Sequence, residues 1–270
     1  MKRILDEASD ALCDKFAIEK KHWKDKLAEL AIKGAIETKM EVLASEGSIE
    51  NAMDIARQIR IKLIETEGSK AIQVMVKGIV VEKNLPIKNM IPKQAHPRVL
   101  IIENSIDIDS LSSFFKFEEL VKNEKSIMKK ILEKVVKLNP DIIFVGQTVS
   151  VYALEFFQSQ RINVISKMRQ KDLEAIQQLA GIRKIVKYIW QVEKHRPQNI
   201  IGKCDKIYFK EVKEKQVLMF LECDIGIRTI ILGEESEEDL SSIKKSFQIL
   251  VRLARQINLE KYLIMVDIQH

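Results

Sequence analysis

Phosphoryl transfer needs a glycine-rich loop over the phosphates, a lysine on a strand and metal-holding aspartates, because position and charge stabilise its transition state. In these 270 residues the nearest approach to such a loop is Gly226 and Gly233, with no Lys-Ser or Lys-Thr behind the second. The three cysteines, Cys13, Cys204 and Cys223, are scattered and lack a Cys-x-x-Cys spacing, so neither a tetrahedral zinc site nor a disulfide framework is expected. Cys223, at the end of a strand pattern, reads as a buried structural thiol. His22, His96, His195 and His270 have no neighbouring Ser, Cys or Asp pattern that would form a relay. Asp141 and Glu103 flank apolar runs and, at strand ends of an open α/β sheet, could line a cleft. Without a phosphate loop beside them they are weak candidates, and we expect no catalytic residue, no metal and no cofactor.

Charge offers a different chemistry. The net charge is +6, and between Arg161 and Lys215 14 Lys/Arg stand against 6 Asp/Glu, so the rest of the chain is slightly acidic. Clustered positive charge raises encounter rates with phosphates or acidic partners. A solvated lysine-rich face is the plainer reading, and we expect no interleaved aromatic platform for stacking bases. A phosphoinositide or nucleic-acid binder using 161–215 is kept as an alternative.

The elements that must position these residues follow from composition and period. With 46% hydrophobic and only 6% aromatic residues, the chain reads as helix-rich α/β with a substantial core. No apolar run approaches the ~20 residues needed to span a bilayer, so direct membrane insertion is not expected and the chain is placed in the cytosol. Apolar residues recur at helical spacing before about Thr66, including Ala52, Ile55, Ile59 and Leu63, which predicts two or three helices ahead of residue 70. From Ile72 the period changes to two and predicts a strand through Val81. Pro86 and Pro92 mark a hinge over 84–95. The order is then strand (99–102), helix (120–138), strand (142–145), helix (150–160) with Val151, Leu154 and Phe157 inward, strand (162–165), helix (171–180) and a fourth strand at 185–186. Short connections favour a parallel sheet. Lys206–Phe209 and Val217–Leu221 are expected to pair antiparallel, Arg228–Leu232 is another strand, and a helix over 240–256 follows an acidic connection at Glu234–Asp239.

Taken together, KGIVVEKN (77–84) with Lys88 and Met90, PRVLIIENSI (97–106), LSSFFKFEELVKNEKSIM (111–128), NPDIIFVGQTVSVYALEFF (139–157), INVISKM (162–168), IGKCDKIYF (201–209), VLMFLECD (217–224), GIRTIILG (226–233) and LEKYLIMVD (259–267) resemble the chaperonin-like domain of the PIKfyve family of phosphatidylinositol 3-phosphate 5-kinases. That domain is itself similar to the apical and intermediate domains of the group II chaperonin CCT. The short segment between Ser105 and Glu118 favours the kinase-associated branch. The arginine that the family places before the glycine of its apical ending is missing before Gly233, so no role is carried to that loop. The equatorial Gly-Asp-Gly-Thr motif is absent as well.

The resemblance implies an apical-like α/β domain over 96–232 with a mixed sheet, inserted in a helical intermediate-like domain formed by 1–83 and 233–270. It implies a non-catalytic module that docks proteins: a scaffold or phosphatase of a phosphoinositide kinase complex, or the parent's own kinase domain. Its location would be cytoplasmic, peripheral on endosomal membranes through that complex, with no nucleic acid expected. In group II chaperonins the helix equivalent to 171–180 contacts clients, which makes Lys171, Glu174, Gln177 and Gln178 candidate partner-binding residues; the alternative is that they are merely solvated. Phe114, Phe115 and Phe117 are either a core plug or an exposed contact patch. A chaperone fragment that grips unfolded polypeptide is the other alternative.

Overall fold

The computed structural model describes residues 30, 59–65, 72–83, 93–107, 117–213, 216–223 and 227–234. In chain order its elements are β1 (Ile59–Glu65), β2 (Ile72–Lys83), β3 (Lys93–Ala95), β4 (Arg98–Ile102), α1 (Phe117–Lys137), β5 (Ile142–Val145), α2 (Val151–Ser159), β6 (Asn163–Ile165) and α3 (Gln170–Leu179). A 3-10 helix (Ile189–Lys194), α4 (Pro197–Ile200), β7 (Ile201–Lys203), β8 (Lys206–Lys213), β9 (Gln216–Glu222) and β10 (Arg228–Glu234) complete them. The chain divides into two compact units, 1–78 with 225–270, and 79–224. The helices expected before residue 59 and over 240–256, the acidic connection beyond Glu234, most of the hinge (84–92), and Phe114 and Phe115 lie outside the described residues.

In the first unit β1 runs parallel to β10, and β10 runs antiparallel to β2. This corrects the helix expected to continue through Leu63. Ile59, Ile61 and Leu63 also alternate with Arg60 and Lys62, and seven residues of β1 pair in register with Arg228–Glu234. A full ladder outweighs the weak local preference that helical spacing expressed. Beside it, Gly78 (φ 125°) donates its N–H to the Ile227 carbonyl at 2.7 Å and accepts from Thr229 Oγ1 at 2.8 Å. That backbone conformation suits glycine, and here it joins the two chain passages of this unit.

The second unit holds the four-stranded sheet β6-β5-β4-β7. β4, β5 and β6 are parallel, as the continuous apolar runs of β4 and β5 and the helical crossovers imply. The fourth member differs from the expectation. Val186 makes only an isolated parallel bridge to Ile102, and the strand beside β4 is β7, antiparallel to it. The chain bends into the 3-10 helix after Tyr188 and returns through α4, so the edge of β4 is shared between residue 186 and Ile201–Lys203.

Leu100, Ile102, Ile143 and Val145 enter one core with Met128, Ile131, Leu132 and Val135 of α1 and with Phe157 of α2. Strand residues alternate between faces, and Val99, Ile101, Ile142 and Phe144 are equally buried. Both faces are therefore dry, and burial of such side chains contributes roughly 1.5–3 kcal/mol each relative to exposure. Leu173 and Ile176 of α3 are buried and Leu179 is half-buried. β8 and β9 form the expected antiparallel hairpin, with β3 on the far side of β8. Thus 93–95, read within the hinge, is a strand.

Candidate docking surface

α2 is anchored by two kinds of contact. Ser150 caps it, its Oγ accepting from the Ala153 N–H at 3.3 Å, while its own N–H donates to the Ile106 carbonyl at 2.9 Å. Ala153 and Phe157, one turn apart, are completely buried. Each helical residue advances about 100°, so Val151, two positions before Ala153, points away from the core. Val151 is 70% exposed, Leu154 38% and Tyr152 36%. This corrects the inward placement of Val151 and Leu154. The signal available in the sequence was the small residue Ala153, which fits closest to the sheet and forms an i,i+4 pair with Phe157. The first turn of α2 therefore shows a contiguous apolar face to solvent, supported by a rigid core beneath it.

The residues singled out on α3 form a polar face. Lys171, Glu174 and Gln178 are exposed, and Gln177 is half-buried with its amide donating to the Arg183 carbonyl at 3.5 Å. Glu174 accepts from Gln170 at 3.2 Å. Asp172, in the first turn, is buried. Nearby, Lys83 Nζ donates to the backbone carbonyls of Ser166 and Lys167. Burial pushes the Lys83 ammonium below its ordinary range, Asp172 opposes that shift, and Arg169 adds to it. These contacts tie the end of β2 to the loop before α3.

Glu103 and Asp141 do not share a cleft. Val99 pairs with Ile142 and Ile102 with Val145 in parallel register, so Asp141 precedes its strand and Glu103 follows its own, at opposite ends of the sheet. Asp141 accepts from the Arg98 backbone N–H at 2.7 Å and is used in the turn. Cys204 and Cys223 are buried and form no disulfide. A hydrogen bond to Cys223, with burial adding to it, holds the Cys204 thiol far above its ordinary range, which makes it a poor nucleophile. Among the described residues no group of three or more His, Cys, Asp or Glu is placed to hold a metal ion.

The basic stretch carries aromatics, and the structure shows how they are arranged. Tyr188 and Trp190 stack at 5.7 Å, with Lys187 over the first ring and Lys194 over the second. Tyr208 stacks on Phe220 at 4.7 Å beneath Lys206 and Lys210. Burial, then a 2.6 Å hydrogen bond to Glu222, pushes the Tyr208 hydroxyl above its ordinary range. Tyr188 and Trp190 are packed on each other under their lysines, a different arrangement from a row of open faces for bases.

The described residues build an α/β core on a mainly parallel sheet whose edge strand is antiparallel. The chain belongs to the TCP-1/cpn60 chaperonin family, whose model matches residues 2–264. Its fold is similar to the open-state monomer of a group II chaperonin from Methanococcoides burtonii, at TM-score 0.70 and 16% identity, over 94% of this chain and 56% of that one.

More particularly, it is similar to the 1-phosphatidylinositol-3-phosphate 5-kinase FAB1A of Arabidopsis thaliana, at 27% identity over 88% of this chain and 14% of the kinase. The 1-phosphatidylinositol 3-phosphate 5-kinase FAB1 of Saccharomyces cerevisiae is 28% identical over 78% of this chain and 9% of the kinase. The chain is thus a chaperonin-like domain homologous to one region of these lipid kinases, and spans about a seventh or less of their length. Among the described residues no helix is long and apolar enough to cross a membrane.

Proposed function

We propose that this chain is a non-catalytic protein-interaction module that docks a protein component of a phosphoinositide kinase complex, and does so through α2. The observation that carries this reading is the exposure of Val151, Tyr152 and Leu154 on one rigid helical turn. Large contiguous apolar patches on monomers mark interaction sites, and apolar contacts on a preorganised surface bind with little ordering cost. The similarity to a region of the lipid kinases supports a docking role at that complex, and with it a cytoplasmic location peripheral to endosomal membranes.

The likeness to a group II chaperonin favours one other reading, capture of unfolded polypeptide through the same apical-like face. Aggregation of an unrelated heat-denatured enzyme separates the two. The docking account expects no protection at equimolar chain, and the same result for Val151→Glu/Leu154→Glu. Stoichiometric protection that this double variant abolishes would establish the chaperone reading instead. Because both side chains are solvent-exposed, the double variant is expected to unfold within about 1 kcal/mol of the parent in urea.

A further inference from the structure

We propose that the cationic edge between Arg183 and Lys203 is a second docking face, and that its occupant is an acidic segment of a protein partner. Six Lys or Arg residues fall in this stretch against one acid, Glu193. Glu193 is already held by Lys134 of α1 at 2.6 Å. Arg183, Lys184, Lys187, Lys194, Arg196 and Lys203 are all exposed.

The fold gathers them along one edge. β7 lies beside β4 with Lys203 opposite Arg98, and the bridge of Val186 to Ile102 continues the same edge. The Lys184 N–H donates to the Asn199 carbonyl at 2.8 Å, and the Lys203 N–H to the Ala180 carbonyl at 3.0 Å. These bonds set the 183–187 passage against the α4–β7 passage. Lys187 covers the Tyr188 ring and Lys194 of the 3-10 helix covers the Trp190 ring stacked on it. The cations thus stand on fixed backbone rather than on a loop that must be ordered on binding.

Three occupants of negative charge can be compared. A single-stranded nucleic acid would use open aromatic faces for its bases, whereas Tyr188 and Trp190 face each other under lysines. A bilayer surface would be gripped by apolar side chains alongside the cations, yet the exposed large apolar residues of the described chain are Val151, Tyr152 and Leu154 on α2. Arginine, tyrosine and tryptophan are enriched at protein interfaces and lysine is depleted there, so the four lysines of this edge act by charge complementarity rather than by contact preference. Consecutive carboxylates on an extended chain would meet the ammonium and guanidinium donors along the edge, with long-range attraction speeding encounter.

The test is fluorescence anisotropy of a short glutamate-rich peptide titrated with the full chain. Lys184→Glu/Lys203→Glu is compared with Lys125→Glu/Lys129→Glu, which makes the same change in net charge on α1. The inference expects the first pair to weaken binding about tenfold or more and the second to change it little. It also expects binding to fall as salt rises from about 50 to about 300 mM. Lys184→Gln/Lys203→Gln, a milder change, should lie between, and circular dichroism checks that each variant folds. Equal losses from both charge-reversed pairs, no peptide binding, or tighter binding to phosphatidylserine vesicles or to RNA would overturn it. Val151→Glu/Leu154→Glu should leave peptide binding unchanged, so this result stands or falls apart from the α2 reading.

Discussion

Phe157→Ala is expected to destabilise the 79–224 unit by about 3–5 kcal/mol, as removing a fully buried aromatic from a close-packed core does. Phe157 is completely buried in the cluster that joins α1, α2 and the sheet, and it meets Phe156 edge-to-face at 6.0 Å. Its carbonyl accepts from the Ile162 N–H at 2.9 Å, so the same residue also sets the turn into β6. Urea unfolding followed by fluorescence should show the midpoint falling, with Phe157→Leu losing less because it fills more of the cavity. A loss under about 1 kcal/mol would mean that α2 does not anchor through Phe157, and the outward orientation of Val151 would lose its support.

Gly146→Ala is the second large effect, about 3 kcal/mol, from overpacking against backbone that cannot yield. A Cβ at Gly146 would lie 2.2 Å from the Glu103 carbonyl oxygen and 3.3 Å from Leu173 Cδ1. The Gly146 N–H also donates to the Ile102 carbonyl at 2.9 Å, so the ends of β4 and β5 are held together where the alanine would push them apart. That junction leads directly to Ser150 and α2. Thermal unfolding should therefore show both a lower midpoint and earlier protease cleavage near 147–150. An unchanged midpoint would show that the strand ends can separate without cost.

What the sequence revealed and what it hid follow from the range of the forces involved. β4 and β5 were legible because strands dry on both faces read as unbroken apolar runs, and α1 because its apolar stripe recurs over five turns. β1 was misread since Ile59–Glu65 satisfies a helical spacing and an alternating one, and only its remote partner β10 decides between them. β7 is three residues long, too short for any period, and exists because β4 has an edge left to pair. At the candidate site the helix α2 was visible but its rotation was not. Nine residues rich in apolar side chains allow several inward faces, and the fit of Ala153 against the sheet selects one. The stacked pair Tyr188–Trp190 escaped because two aromatics in a lysine-rich stretch show no period of their own.

The chaperonin-like region is one part of much longer lipid kinases in the relatives it matches. The described residues present three surfaces: an apolar turn on α2, a polar face on α3 and a cationic edge at β7. Interfaces of this kind work through a few central apolar anchors surrounded by a polar rim.

Site-specific photocrosslinking in cells tests the docking claim most directly. A photoreactive amino acid at Val151, with Gln178 on α3 as the comparison position, reports what touches each face. The account predicts one discrete crosslinked protein from position 151, belonging to a phosphoinositide kinase complex and lost when Leu154→Glu is added, with little product from position 178. A smear of unrelated polypeptides from position 151, or no product there at all, would contradict it.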